Sequence, residues 1–277
     1  MLLVLASLIS FSAIAEEKKA LPLWEVGAGV LPFRADNYRG SPQHKWFALP
    51  LPAITIRGKD VEAENGFIRG HIVRFGDFTL DLSFSLGLNV SSGGDKLRRG
   101  MDDLSPTFEI GPMLRYYMWK SKSGNQFLNL EVPFRSVYAT DLTYIDHVGY
   151  YSIPYINFLT KPAPETFGFS TETSIGIQYG SSGFHNRFYA VDSKFVTPER
   201  EKFNSVSGYS GTQFSISLAK RIGDVLFVPF FRYDYLDGAV YKDSPLYKNA
   251  HYTFFGAAVI WFFAGSNERQ TAPTMVK

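Results

Sequence analysis

From Leu80 to Leu88 apolar and polar residues alternate without a fault: Leu80, Leu82, Phe84, Leu86 and Leu88 on one face, Asp81, Ser83, Ser85 and Gly87 on the other. A period of two marks a β-strand with faces of opposite polarity. A solvated polar face would carry Lys, Glu, Arg and Thr, whereas small Ser and Gly point to a confined polar space. The pattern recurs. Phe167–Tyr179 sets Phe169, Ile175, Ile177 and Tyr179 against Ser170, Glu172, Ser174 and Gln178, and Thr212–Lys220 sets Phe214, Ile216 and Leu218 against Gln213, Ser215 and Ser217. Thr107–Tyr116 and Phe127–Arg135 alternate in the same way. These runs of about nine to thirteen residues match the roughly 9–11 that a tilted strand needs to cross a bilayer.

Weaker runs fill the gaps at Leu23–Pro32, Trp46–Ile56, Val61–Asn65, Ile68–Arg74, Val148–Phe158, Val225–Tyr235 and His251–Phe263, making twelve predicted strands in all. The connections alternate in length. Arg34–Lys45, Asn89–Ser105, Ala139–His147, Gly180–Gly211 and Leu236–Ala250 are long, while Arg57–Asp60, Phe75–Asp77 and Arg221–Asp224 are tight. Long loops on one side and short turns on the other characterise an outer-membrane barrel. The expected fold is therefore all-β, a closed antiparallel transmembrane barrel of about 12 strands. The short Val61–Asn65 run breaks the loop parity, so 10 or 14 strands also fit. A secreted soluble β-sandwich or barrel would alternate too, but strand length, loop parity and aromatic content favour the membrane.

Composition narrows the picture. With 45% hydrophobic and 19% charged residues the chain of 277 residues is not disordered, and its 16% aromatic content suits rings displayed at a lipid interface. A net charge of +2 gives no electrostatic case for nucleic acid, and the lack of Cys removes disulfides and thiolate chemistry. Met1–Ala15 carries no charge and ends in Ala13-Ile14-Ala15 before Glu16, which predicts a secretory signal peptide. The barrel domain is then expected over 16–263, followed by a flexible periplasmic tail over 264–277. No later run is apolar for 18 residues, so any membrane crossing must be made by strands.

Chemistry is sparse. The five histidines, His44, His71, His147, His185 and His251, are scattered without metal-ligand spacing, and neither a GxSxG nor a phosphate-loop motif occurs. Asp146-His147 lies in or near a predicted loop, where solvated polar residues are the plain reading. No catalytic, cofactor or metal residues are expected. The polar strand faces place Glu25, Asp81, Glu109, Arg115, Glu131, Arg135, Glu172, Arg232 and Asp234 inside the barrel. Charges there must be paired or wet, so the lumen is either a salt-bridged plug or a narrow polar channel or ligand pocket. Lys96, Arg98 and Arg99, in a predicted outer loop, are candidates for contact with lipopolysaccharide phosphates.

Several segments in this order, Pro50–Arg57 (PLPAITIR), Arg99–Pro112 (RGMDDLSPTFEIGP), Phe188–Ser193 (FYAVDS), Ser207–Ala239 and Asp243–Leu246 (DSPL), resemble the MipA/OmpV family of outer-membrane proteins. The resemblance covers nearly all of the chain after the signal segment. It implies a Gram-negative outer-membrane barrel and a non-enzymatic scaffold joining a murein-degrading lytic transglycosylase to a penicillin-binding protein. It brings no catalytic motif. Family members usually end at an aromatic residue of the last strand; here Phe263 is followed by fourteen more residues.

Overall fold

The structure, a computed structural model, describes residues 22–57, 61–64, 67–141, 143–163 and 166–268. The expected signal segment and most of the expected tail lie outside the described residues. Thirteen strands form one antiparallel sheet: β1 (Trp24–Asp36), β2 (His44–Arg57), β3 (Val61–Glu64), β4 (Phe67–Phe75), β5 (Phe78–Gly87), β6 (Thr107–Lys120), β7 (Gln126–Thr140), β8 (Ile145–Ser152), β9 (Tyr155–Thr160), β10 (Ser170–Gly180), β11 (Gly208–Ile222), β12 (Val225–Tyr235) and β13 (His251–Gly265). Apart from β8 and β9, neighbours in sequence pair with each other, and β13 pairs with β1, so the sheet closes on itself. β8 and β9 flank Ile153-Pro154, and both pair with β7 and β10. They share one place in the wall, and the barrel has twelve positions.

Burial runs inside out. Asp81 is 4% exposed while its neighbour Leu82 is 47% exposed, and Ser83 and Ser85 are buried as well. The greasy face of the strand therefore meets lipid, and the Ser-rich face fills the lumen. Outward rings gather at two levels. Trp24, Trp119, Trp261 and Phe263 stand at the end with short turns, and Trp46, Tyr150, Tyr179 and Tyr235 at the end with long loops. Aromatic rings favour both membrane interfaces, so these are the two girdles of a spanning barrel. The tight turns at Gly76-Asp77 and Gly223-Asp224 need their glycines, whose φ values of 60° and 59° lie in the left-handed region.

The lumen has two walls of different chemistry. Along the middle of β1, β2, β12 and β13 the inward side chains are apolar, including Leu31, Phe33, Leu49, Val228, Phe254 and Ile260, with Glu25, Thr55, Arg232 and Asp234 toward the ends. From β5 to β10 most are polar or charged, with Met113, Val137 and Leu159 among the exceptions.

Some boundaries differ from the expected ones. Strands run further into the long connections than alternation alone suggests; β1 reaches Asp36 and β7 reaches Thr140. Phe167 and Phe169 fall outside β10, because Phe167 turns the chain with a φ of 52°. The expected tail boundary also moves. β13 continues to Gly265, where Ala264 and Gly265 pair with Val26 and Glu25. Ser266 then accepts hydrogen bonds from Leu23 N at 2.7 Å and Trp24 N at 3.3 Å, so the first residues of the supposed tail are part of the barrel seam.

Candidate functional site

The site is the lumen together with the cap above it. Cross-strand register brings charges of opposite sign together on the inner face. Arg115 on β6 lies opposite Glu131 on β7, and its guanidinium reaches Glu131 at 3.2 Å and Asp81 of β5 at 3.0 Å. Glu131 also accepts from Tyr155 Oη at 2.6 Å and from Asn157 Nδ2 at 3.3 Å, and the same amide reaches Glu172 at 2.8 Å. Above this cluster Arg135 donates to Ser83 Oγ at 2.8 Å and pairs with Glu109 at 3.3 Å. Toward the long loops, Arg232 forks onto Asp234 at 2.8 and 2.6 Å. Toward the short turns, Arg221 forks onto Glu25 at 2.8 and 2.5 Å.

All nine inward charges expected from alternation are thus brought into contact with a partner, and eight of them are buried, Glu172 being half-buried. Alternation missed two partners. Arg221 sits at the very end of β11 beside a tight turn, where it reads as a turn charge. Arg39 lies in the 37–43 loop yet reaches back to Asp234 at 3.1 Å, hydrogen-bonds Tyr151 and lies over its ring at 5.1 Å. Nothing in the local pattern marks a loop arginine as luminal.

The cap is built from the long loops. Helix α1 (Ser182–Tyr189) begins at Ser181, whose hydroxyl accepts from Phe184 N and from Tyr150 N, which pins the helix start to β8. His185 of α1 is fully buried: Nδ1 lies 2.8 Å from Val206 O and Nε2 lies 2.5 Å from Ser210 Oγ. The carbonyl can only accept, so Nδ1 carries the proton and Nε2 accepts from the Ser210 hydroxyl. Burial lowers the imidazole pKa from its ordinary value, consistent with a neutral ring. Tyr189 stacks on Tyr241 of the 236–250 loop with ring centres 3.7 Å apart, and burial raises both phenols above their usual range. Tyr189 Oη donates to Arg39 O at 2.8 Å, and Tyr38 Oη donates to Leu246 O at 2.8 Å. Loops 37–43, 181–207 and 236–250 are therefore one knitted lid. A cavity of about 160 Å³ lies beneath it, touching Arg39, Ser85, Glu109, Ser210, Arg232 and Phe254.

The basic loop divides. Lys96 and Arg99 are exposed, but Arg98 is 3% exposed, with its guanidinium donating to Phe188 O at 3.0 Å, Asp102 O at 3.2 Å and Ser92 Oγ at 3.3 Å. Arg98 ties the 88–106 loop to the lid and is removed from the lipopolysaccharide-contact set. Among the described residues no cluster of His, Asp and Glu could hold a metal ion. Asp146 and His147 are both exposed at the start of β8.

A closed antiparallel barrel with a lipid-facing apolar surface, two aromatic girdles and an ion-paired interior is an integral outer-membrane barrel. The family model described as MltA-interacting protein MipA matches residues 26–263. The chain belongs to this family. No curated protein matches it. Among solved structures, the outer membrane protease OmpT from Escherichia coli is similar over 91% of this chain and 99% of its own, with 9% sequence identity and a TM-score of 0.32, a likeness too slight to carry an argument about function.

Proposed function

We propose that this barrel is a non-enzymatic scaffold that displays a periplasmic rim to murein-processing enzymes, a lytic transglycosylase and a penicillin-binding protein among them. The observation that carries the reading is the lumen: its charges are engaged with one another along its length, and a lid of interlocked loops covers its outer end. A barrel so filled is suited to holding a surface rigid. The description of the family as an interacting protein points the same way. The rim with the short turns carries Lys120, Lys122, Lys161 and Lys220, a basic edge suited to acidic patches on a partner. Cross-linking in outer-membrane preparations tests this. Lytic transglycosylase and penicillin-binding protein should be captured by the full chain, and capture should fall at least fivefold when Lys120, Lys122 and Lys161 are changed to Glu. Undiminished capture by that variant, or none by the unaltered chain, contradicts the reading.

The cavity under the lid supports a second reading, a small-ligand barrel. Its polar side, with Glu109, Ser210 and Arg232, would hold a compact polar molecule, and calorimetric titration with small zwitterions would reveal it.

A further inference from the structure

The charges around the cavity beneath the lid are unevenly engaged. Asp234 is fully buried and accepts from Arg232 Nε and Nη2, while Arg39 Nε lies 3.1 Å from it, so two guanidiniums share one carboxylate. One positive charge is left in excess there. Arg39 gives Nη1 to Tyr151, and its Nη2, like Nη1 of Arg232, has no partner among the described residues. Neither nitrogen is walled off by protein, and both residues line the cavity, so their spare N–H groups open into it.

The opposite side carries the complementary charge. Glu109 accepts from Arg135 Nη1 through Oε2 at 3.3 Å, and its Oε1 has no partner among the described residues and is not walled off either. Glu109 lines the cavity, whereas Arg135 does not. Its strand, β6, and the strand of Arg232, β12, stand nearly opposite each other around the wall, so the free carboxylate oxygen and the free guanidinium N–H groups face one another across one space.

That space is not built for water alone. Phe184, Phe188, Tyr252 and Phe254 also line it, and ring faces offer none of the two to four polar partners that a buried water takes. A cavity of about 160 Å³ is of the size that receives a benzene ring, so an apolar body of roughly four to six carbons fits. Asn37, Gly87, Leu88 and Phe188 of the lining are half-buried, which leaves an approach on the loop side. Further down, Arg135 and Arg115 with their carboxylates fill the lumen, so the space is a dead end, suited to holding a ligand rather than passing it.

We propose that the cavity is a binding site for a small zwitterion of the ω-amino acid class, with its carboxylate on Arg39 and Arg232, its ammonium on Glu109 and its methylene body against the rings. Guanidinium forks match a carboxylate, and each charged end gains charge-assisted hydrogen bonds that the protein leaves unmade. The proposal deepens the small-ligand reading given above, on which it rests, and is independent of the periplasmic rim.

Calorimetric titration of the full chain in detergent with ε-aminocaproate, caproate, hexylamine and leucine tests this. ε-Aminocaproate should bind. Caproate and hexylamine, which each lack one charge, and leucine, an isomer with both charges at one end, should each bind about tenfold or more weakly. Ser85→Leu, which places bulk in the cavity without changing a charge, should abolish binding, and Glu109→Gln should erase the advantage of ε-aminocaproate over caproate. Heat-modifiable migration on a gel checks that both variants are folded, and the comparison of ligands on the unaltered chain needs neither. Caproate or leucine binding as tightly as ε-aminocaproate would overturn the proposal while leaving a ligand barrel standing; no binding by any of the four would overturn both.

Discussion

Arg115 shows what a single luminal residue does. Its guanidinium lies between Asp81 and Glu131, all three buried, so each charge is tolerated only because the others are present. Arg115→Ala leaves two carboxylates facing each other without a cation and is expected to cost about 3–5 kcal/mol, the usual penalty for breaking a buried pair. Denaturant unfolding of the detergent-solubilised barrel, followed by heat-modifiable migration, should show the loss; a variant as stable as the parent would mean that water already screens the cluster. These charges were legible in the sequence because a strand's period of two assigns every residue a face, and nothing else is needed to place Glu109 or Arg135 inside. Arg39 and Arg98 were not legible. Both lie in loops, where no period exists, and their positions are set by tertiary contacts with Asp234 and with Phe188 O.

Elements differ in how they are held, and two predictions follow from that. Helix α1 is fixed to β11 by His185, which is neutral when buried and has a depressed pKa in the folded cap. The unfolded cap therefore binds the proton more readily. The stabilisation is fully present above the ordinary histidine value near 6.5 and is lost as pH falls through the lower, folded value. Limited proteolysis of loop 181–207 should accelerate as pH is lowered below about 6, and a His185→Phe variant should lose that pH dependence. At the last strand, truncation after Glu268 keeps every β1–β13 bond described above, whereas truncation after Phe263 removes the pairs at Ala264 and Gly265 and the Ser266 bonds. The shorter chain should assemble less efficiently or melt at a lower temperature in a gel-shift assay, and equal behaviour of the two would argue that the seam closes without them. The sequence places Ala264 in the tail, because the alternating aromatic-rich run of the last strand ends at Phe263. Backbone pairing continues past that boundary, since a ladder needs only N–H and C=O groups and not an apolar side chain.

At the scale of the whole molecule, two independent regularities in the sequence, strand period and loop parity, lead to one closed barrel, and the family match over residues 26–263 agrees with them. The asymmetry of its interior was not read in advance. Alternation distinguishes the faces of β5 or β10 because they differ in polarity, but the middle stretches of β1, β12 and β13 are apolar on both faces and give no contrast there. The shortness of β3 was signalled only by the loop-parity anomaly at Val61–Asn65. The central claim is that the lumen is closed by its own ion pairs and its lid. Planar-bilayer recording of the purified full chain tests this most directly: a membrane with inserted barrels should remain electrically silent, and Arg115→Ala should introduce transient openings. Steady ohmic conductance from the unaltered protein would contradict it.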